Sequence, residues 1–212
     1  MPLPMVHLSV AVLAEKELGI MNRSAYYLGS IAPDGIHMQE HWTGEDKKRS
    51  HLGVRGTDDP SGVMEFLTGG VLDTDRDYCI GYALHCLTDL YWNMQVIKEF
   101  DSRYGENPSS VLPAREAYYS DTDQIDIHLY RTMPERDELW ELLQKAQGTD
   151  LPGILSAKAV ALWNERTLCW YNQERVFSIP ITYITLQTVT EFLPKVSRYC
   201  TKMIQKVLQP DC

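Results

Sequence analysis

Residues 81–89 read Gly-Tyr-Ala-Leu-His-Cys-Leu-Thr-Asp and place an imidazole and a carboxylate four residues apart, at His85 and Asp89. In a helix this spacing puts both side chains on one face. Both groups are costly to bury without a partner, and both are good ligands for zinc. Because the surrounding stretch is the most apolar of the chain, the pair indicates either a metal site or a structural His–Asp hydrogen bond in the core.

Three residues nearer the N-terminus could serve the same site. His7 lies on the apolar face of a predicted helix, Asp34 lies in a Pro-Asp-Gly turn, and His51 follows a basic run in a polar loop. Each has a simpler interpretation taken alone: a histidine bonded to a core carbonyl, an Asx turn and an exposed surface histidine. Only the combination of all five residues favours a metal centre.

Helices must position these residues, and the apolar periodicity predicts several. The segment 74–98 is apolar around much of its circumference, which predicts a central, buried helix. Residues 171–182 have some strand character, which Pro180 interrupts, and Pro194 should kink the last helix or mark its start. We therefore predict one all-α domain over 1–212, a compact multi-helix bundle around a buried metal centre. The other predicted helices are 4–18, a short one from Asp59-Pro60 to Thr68, 113–131, 134–147, 151–165 and 183–208.

Composition and charge exclude several classes of function. The 212 residues carry a formal net charge of -9, which argues against stable nucleic-acid binding and against docking on anionic lipids. No stretch is long and apolar enough to span a membrane, no signal peptide is visible, and the expected compartment is the cytoplasm. The five cysteines include no Cys-x-x-Cys pair and indicate reduced thiols rather than a disulfide framework.

Taken in order, four motifs resemble those of the bacterial zinc-dependent phospholipase C family and related P1 nuclease-like metallohydrolases. The motifs cover roughly residues 1–95, and the remainder is similar only in being helical. The resemblance implies an all-α fold around a zinc cluster with His7, Asp34, His51, His85 and Asp89 as ligands, Asp89 bridging two ions. The motifs are His7, the run Tyr-Leu-Gly-Ser-Ile-Ala-Pro-Asp (27–34), the run Lys-Arg-Ser-His (48–51) and the run 81–89.

The chain also departs from that family. The secreted phospholipases use a freed N-terminal amine as a ligand, whereas six residues precede His7 here, and they bind a third zinc through a later His-x-x-x-Glu pair. After Asp89 this chain has only His128 and no such pair. We therefore expect two zinc ions and not three, with Asp126 and Glu135 as possible late oxygen ligands that no spacing singles out.

The expected chemistry is hydrolysis of a small phosphate ester or phosphodiester. Two metal ions about 3.5–4 Å apart can lower the pKa of a bridging water and stabilise the attacking and leaving oxygens. We assign His51 and His85 to one ion and His7 to the other, with Asp34 completing the coordination or acting as the catalytic general base. His37 could reach the same cleft, and Arg49, or the adjacent Lys47 or Lys48, could meet a phosphate oxygen.

Two other classes of function stay open. One is a nuclease for single-stranded nucleic acid, in which aromatic residues stack on bases; the candidates are Tyr26, Tyr27, Trp42, Tyr91 and Trp92. The other is a non-catalytic helical protein whose metal site is structural or lost. Salt-sensitive oligonucleotide binding distinguishes the first, and a metal that stabilises the fold without turnover distinguishes the second.

Overall fold

The computed structural model describes residues 3–54, 56–70, 72–107 and 112–208, and every regular element within these ranges is a helix. The predicted all-α class is confirmed. In chain order the elements are α1 (Pro4–Leu18), α2 (Arg23–Gly29), a 3-10 helix (Ala32–Met38), α3 (Gly44–Ser50), α4 (Ser61–Thr68), α5 (Leu72–Trp92), a π-helix (Asn93–Ile97), α6 (Lys98–Gly105), α7 (Ala114–Thr132), α8 (Arg136–Lys145), α9 (Ala157–Trp170) and α10 (Leu186–Leu208).

Helix α5 is the centre of the bundle. Its residues from Tyr78 to Leu90 are buried on every side, and α1, α2, α4 and α10 all pack against it. A helix without a polar face can only be stable when other elements cover its whole circumference, so the predicted central position is confirmed. Although α5 is strongly apolar, neither it nor any other helix in the described ranges could cross a membrane.

Both ends of α1 are held by side chains from other helices. Pro4 occupies the first turn, where its missing N–H costs nothing, and the carboxylate of Asp126 on α7 accepts the Met5 N–H at 2.9 Å. At the other end Gly19 adopts a left-handed conformation (φ 61°), and Arg76 donates to the Leu18 carbonyl at 3.1 Å. These contacts fix α1, and with it His7, against the core.

The segment from Gly35 to His51, predicted as a turn and a polar loop, is largely helical. It holds the 3-10 helix and α3, and a capping box between Thr43 and Asp46 begins α3. The prediction failed because α3 has only seven residues, too few for an apolar periodicity to show, and its stability comes from the cap and from packing. The consequence is that His51 follows a helix directly and not a loose chain.

The C-terminal third differs from its predicted boundaries in two places. Helix α9 starts at Ala157, where the Ser156 side chain accepts the Ala159 N–H at 3.2 Å, and not at residue 151. The described part of 171–182 contains no strand. Instead, the Asp121 carboxylate accepts the three successive N–H groups of residues 182–184 at 2.9, 2.7 and 2.9 Å. Helix α10 then runs through Pro194, so this proline does not mark its start.

Two glycines allow α2 and α5 to touch backbone to backbone. A Cβ atom on Gly81 would lie 2.1 Å from the Tyr26 carbonyl oxygen and 2.9 Å from the Ser30 nitrogen. A Cβ atom on Gly29 would lie 2.2 Å from the Tyr78 carbonyl oxygen. Neither approach is sterically possible for a larger residue, so the crossing of these two helices depends on both glycines.

We expect Gly81→Ala to lower the free energy of unfolding by about 3 kcal/mol, because overpacking would push α2 away from α5. The matched control is Gly105→Ala, since nothing lies within 4 Å of a Cβ atom there. That variant should be neutral or gain up to about 1 kcal/mol from helix propensity. Urea unfolding of both variants measures the difference, and equal effects would contradict the tight crossing.

Candidate metal centre

Four separate segments bring five buried histidine and aspartate side chains together. His7 comes from α1, Asp34 from the 3-10 helix, His51 from the residue after α3, and His85 and Asp89 from α5. Three of them are wholly inaccessible, and Asp34 and Asp89 are only 6% and 3% exposed. All five residues predicted from the sequence as ligands therefore lie in one cluster. They form two groups that could each hold a metal ion, His7 with His85 and Asp89, and Asp34 with His51 and His85.

The distances within the cluster suit metal ligands better than hydrogen bonds. His51 Nε2 lies 3.4 Å from Asp34 Oδ1 and 3.6 Å from Asp89 Oδ2, and His7 Nε2 lies 3.5 Å from Asp89 Oδ1. Good hydrogen bonds of this kind are shorter, near 2.9 Å. Ligands at about 2.05 Å around one tetrahedral zinc ion are roughly 3.3 Å apart. The spacing is therefore what residues grouped around ions would adopt.

Backbone carbonyls orient two of the histidine rings. His85 Nδ1 lies 2.9 Å from the Ser30 carbonyl oxygen, and His51 Nδ1 lies 3.0 Å from the Lys47 carbonyl oxygen. A carbonyl only accepts, so each Nδ1 carries the proton and donates it. In the neutral ring Nε2 then holds a lone pair, and both Nε2 atoms face the cluster. Metal-binding histidines characteristically have their other nitrogen held in this way.

Every one of the five residues has a buried atom without a hydrogen-bond partner in the described part of the chain. These atoms are both ring nitrogens of His7, Asp34 Oδ1, His51 Nε2, His85 Nε2 and Asp89 Oδ1. Buried polar atoms are nearly always paired, and leaving one unpaired costs about 1–3 kcal/mol. Bound cations would supply the missing partner for one nitrogen of each histidine and for both carboxylate oxygens, so the donor set fits metal ions.

The protonation states also fit a metal ion. Burial, followed by the neighbouring His85, lowers the pKa of His7 well below its usual value, and burial lowers the pKa of His85. At Asp34 burial acts to raise the pKa, but the adjacent His51 and His85 outweigh it and the pKa is lowered. Burial raises the pKa of Asp89 to about 6. The lowered pKa values favour neutral imidazoles, and above about pH 6 both carboxylates are ionised; these are the metal-binding forms.

The two oxygens of Asp89 point to different parts of the cluster. Oδ1 faces His7, whereas Oδ2 faces His51 and His85, at 3.6 and 3.9 Å from their Nε2 atoms. A single imidazole nitrogen cannot serve two ions, but a carboxylate can. The arrangement therefore suits one position furnished by Asp34, His51, His85 and Asp89, and a second, less complete position furnished by His7 and Asp89.

A buried lysine lies at the Asp34 edge of the cluster. Lys47 is only 6% exposed, and its Nζ donates to His37 Nε2 at 2.8 Å. His37 Nε2 lies in turn 3.8 Å from Asp34 Oδ1. Burial and the Lys47 charge lower the pKa of His37 to about 4, so His37 is neutral at physiological pH. Lysine is rarely buried in proteins, and here it places a positive charge beside the Asp34 side of the cluster.

Other candidate residues from the sequence lie outside the cluster. Arg49 forms an ion pair with Asp46, and its side chain is 57% exposed. His128 and Glu135 are exposed. Asp126 is buried but already accepts hydrogen bonds from Met5 and Tyr171, and burial raises its pKa to about 7. None of these late residues therefore joins the groups that could hold a metal ion.

The aromatic residues proposed for base stacking are mostly core residues. Tyr26, Tyr27 and Trp92 are buried, and Tyr91 packs on Phe192 and Tyr199; of the five only Trp42 is appreciably exposed, at 39%. The sequence did not indicate that α9 also places an aromatic side chain, that of Trp163, near the site. Trp163 lies with its ring centroid 6.0 Å from that of His37. Nothing in its local sequence could have revealed this, because α9 reaches the site only by packing against the 3-10 helix.

Comparison of the chain with protein-family models, with curated proteins and with solved structures found no match.

We expect His85→Ala and Asp89→Ala each to lower the zinc content by about one ion per chain and to lower the melting temperature, because a buried partner loses its neighbour. The control is His128→Ala, which changes an exposed histidine. Elemental mass spectrometry on protein purified without chelator or metal-affinity resin gives the stoichiometry. Full metal content and an unchanged melting temperature in both α5 variants would show that these residues are not ligands.

Proposed function

We propose that this protein is a metal-dependent hydrolase of phosphate esters or phosphodiesters, with zinc as the metal and two ions as the full complement. The observation that carries the proposal is the convergence of five buried histidine and aspartate residues, all with unpartnered ligand atoms aimed at one another. When bound, two zinc ions would lower the pKa of a water molecule and stabilise negative charge on phosphoryl oxygens.

Each residue of the cluster has a distinct task in this proposal. Asp34, His51 and His85 would hold the first ion, and His7 would help to hold the second. Asp89 has one oxygen facing each side and would contribute to both. The lowered pKa of Asp34 favours a role as ligand over a role as general base, since a base works best when its pKa is near the working pH.

Charge supports an anionic substrate. Asp34 and Asp89 contribute two negative charges, and two divalent ions would contribute about four positive charges. Lys47 adds one more positive charge at the edge of the cluster. The occupied site would then carry a surplus of about three positive charges in a largely buried setting. A phosphate group would neutralise most of that surplus, whereas a neutral substrate would leave it uncompensated.

The resemblance to zinc-dependent phospholipases C supports the same reaction class, since the five residues that match its motifs are the five that converge. A nuclease is less well supported. Of the aromatic residues proposed for stacking, three are buried in the core, and the net charge of -9 disfavours a polyanionic substrate. A small phosphate ester therefore fits best.

The decisive experiment measures turnover against metal content. We expect the zinc-loaded protein to hydrolyse p-nitrophenyl phosphate or bis-p-nitrophenyl phosphate, to lose activity with EDTA, and to regain it when zinc is restored. His51→Ala serves as the inactive control. If zinc raises the melting temperature but no ester is hydrolysed, the site is structural and the proposed hydrolase is wrong.

Lys47 offers a test of phosphate recognition. We expect Lys47→Met to raise KM for the ester about tenfold, the worth of one charged hydrogen bond, with little change in zinc content. The hydrogen bond of His51 goes to the backbone carbonyl of Lys47, which the variant keeps. The matched control is Lys48→Met at the exposed neighbouring lysine. An equal KM in both variants would remove Lys47 from substrate binding.

A further inference from the structure

Helix α3 lies between two residues in the left-handed backbone conformation, which side chains disfavour. His41 and Leu52 have φ angles of 56° and 51°, and no other non-glycine residue in the described part of the chain has a positive φ. One precedes α3 and the other follows it. Such conformations cost of order 1–3 kcal/mol and cluster at functional sites. The placement of α3, which contains Lys47 and ends next to His51, is therefore maintained against a local cost.

The side chain of Lys47 is buried, and two rings contact its ammonium group. Its Nζ donates to His37 Nε2 at 2.8 Å. The same atom lies 6.0 Å from the centre of the Trp42 ring, within the range of a cation–π contact. A lysine side chain has about 2 kcal/mol of rotamer entropy to lose. Contacts at the ammonium end restrict that freedom, because the methylene stem makes no directional bonds.

The His37 ring can accept this hydrogen bond in one neutral tautomer only. An ammonium group only donates, so His37 Nε2 holds the lone pair and Nδ1 carries the proton. The ring is itself packed edge-on against Trp42, with centroids 4.9 Å apart and planes at 83°. Lys47, His37 and Trp42 therefore contact one another in a closed triangle, which we call the Lys47 clamp.

The Lys47 clamp lies at the edge of the metal centre. His37 Nε2, the atom that accepts the Lys47 hydrogen bond, is 3.8 Å from Asp34 Oδ1. His37 is partly exposed and Trp42 is exposed, whereas the five proposed metal ligands are buried. The clamp therefore lies where the buried cluster meets solvent. A phosphate group that arrives from this side meets the lysine charge beside Asp34.

We propose that His37 and Trp42 are positioning residues that hold the Lys47 ammonium group where it meets a phosphoryl oxygen, and this inference rests on the proposed hydrolase function. His37 acts through Lys47, because it fixes the direction of one N–H and leaves the phosphate contact to the lysine. A charged hydrogen bond depends on distance and angle. A lysine released from the clamp would have to be ordered at each binding event, so the cost would appear in the affinity for phosphate.

The test is a double-mutant cycle on the zinc-loaded protein with methylphosphonate, which carries the phosphoryl group and is not hydrolysed. We expect His37→Leu, which removes the acceptor, to weaken binding about fivefold by calorimetry. His37→Gln keeps an acceptor and should restore most of the affinity. In the Lys47→Met background His37→Leu should have no further effect, because the group that His37 positions is gone.

Two controls separate positioning from damage to the fold. His128→Leu changes an exposed histidine on α7 and should leave the affinity for methylphosphonate unchanged, and every variant should keep the zinc content of the wild type. Should His37→Leu fail to fold, Trp42→Leu removes the other side of the clamp at an exposed position. Its effect on binding should likewise vanish in the Lys47→Met background.

The outcomes distinguish this inference from the hydrolase proposal. If His37→Leu weakens binding equally with and without Lys47, or not at all, the positioning role is wrong while the hydrolase proposal stands. The positioning role also fails if Lys47→Met binds methylphosphonate as tightly as the wild type. If the zinc-loaded wild type neither binds methylphosphonate nor hydrolyses an ester, both proposals fail.

Discussion

The free-energy cost of burying two carboxylates and three imidazoles together limits how this chain can fold. Asp34 and Asp89 are both buried beside three histidines, and burial alone would drive the carboxylates toward protonation and the imidazoles toward neutrality. Lys47, at the Asp34 edge of the cluster, provides one positive charge. A multivalent cation resolves the conflict, because it stabilises ionised carboxylates and neutral imidazoles together. Binding of a metal ion at this cluster would therefore be coupled to folding of the core.

Close contact between α2 and α5 determines the orientation of one histidine of the cluster. Gly29 and Gly81 let α2 touch α5, and this contact brings the Ser30 carbonyl to within 2.9 Å of His85 Nδ1. A wider crossing would break that hydrogen bond and free the His85 ring to rotate. The orientation of the His85 ring thus depends partly on two glycines, which have no functional side chain.

The sequence allowed the helical class, the central α5 and all five cluster residues to be predicted, because each depends on local periodicity or on a short ordered set of motifs. It did not allow α3 to be predicted, since a seven-residue helix takes its stability from a cap and from tertiary packing. It also pointed to Arg49 for phosphate as readily as to Lys47. Which of two neighbouring basic side chains is buried depends on contacts with segments that are distant in the sequence. No local sequence pattern predicts those contacts. For the same reason no local pattern indicated that Trp163 on α9 lies near the site.

Main-chain carbonyls orient two histidine rings of the cluster, with the Ser50 hydroxyl also 2.9 Å from His51 Nδ1. Both oriented histidines donate to peptide carbonyls, those of Ser30 and Lys47, and every residue type has such a carbonyl. Side-chain changes at these two positions therefore leave the acceptor in place, provided that the local helices persist. The centre can accordingly tolerate sequence drift around its ligands while their orientation is kept. Substitutions in the walls around the cluster would thus leave the orientation of these two rings unchanged.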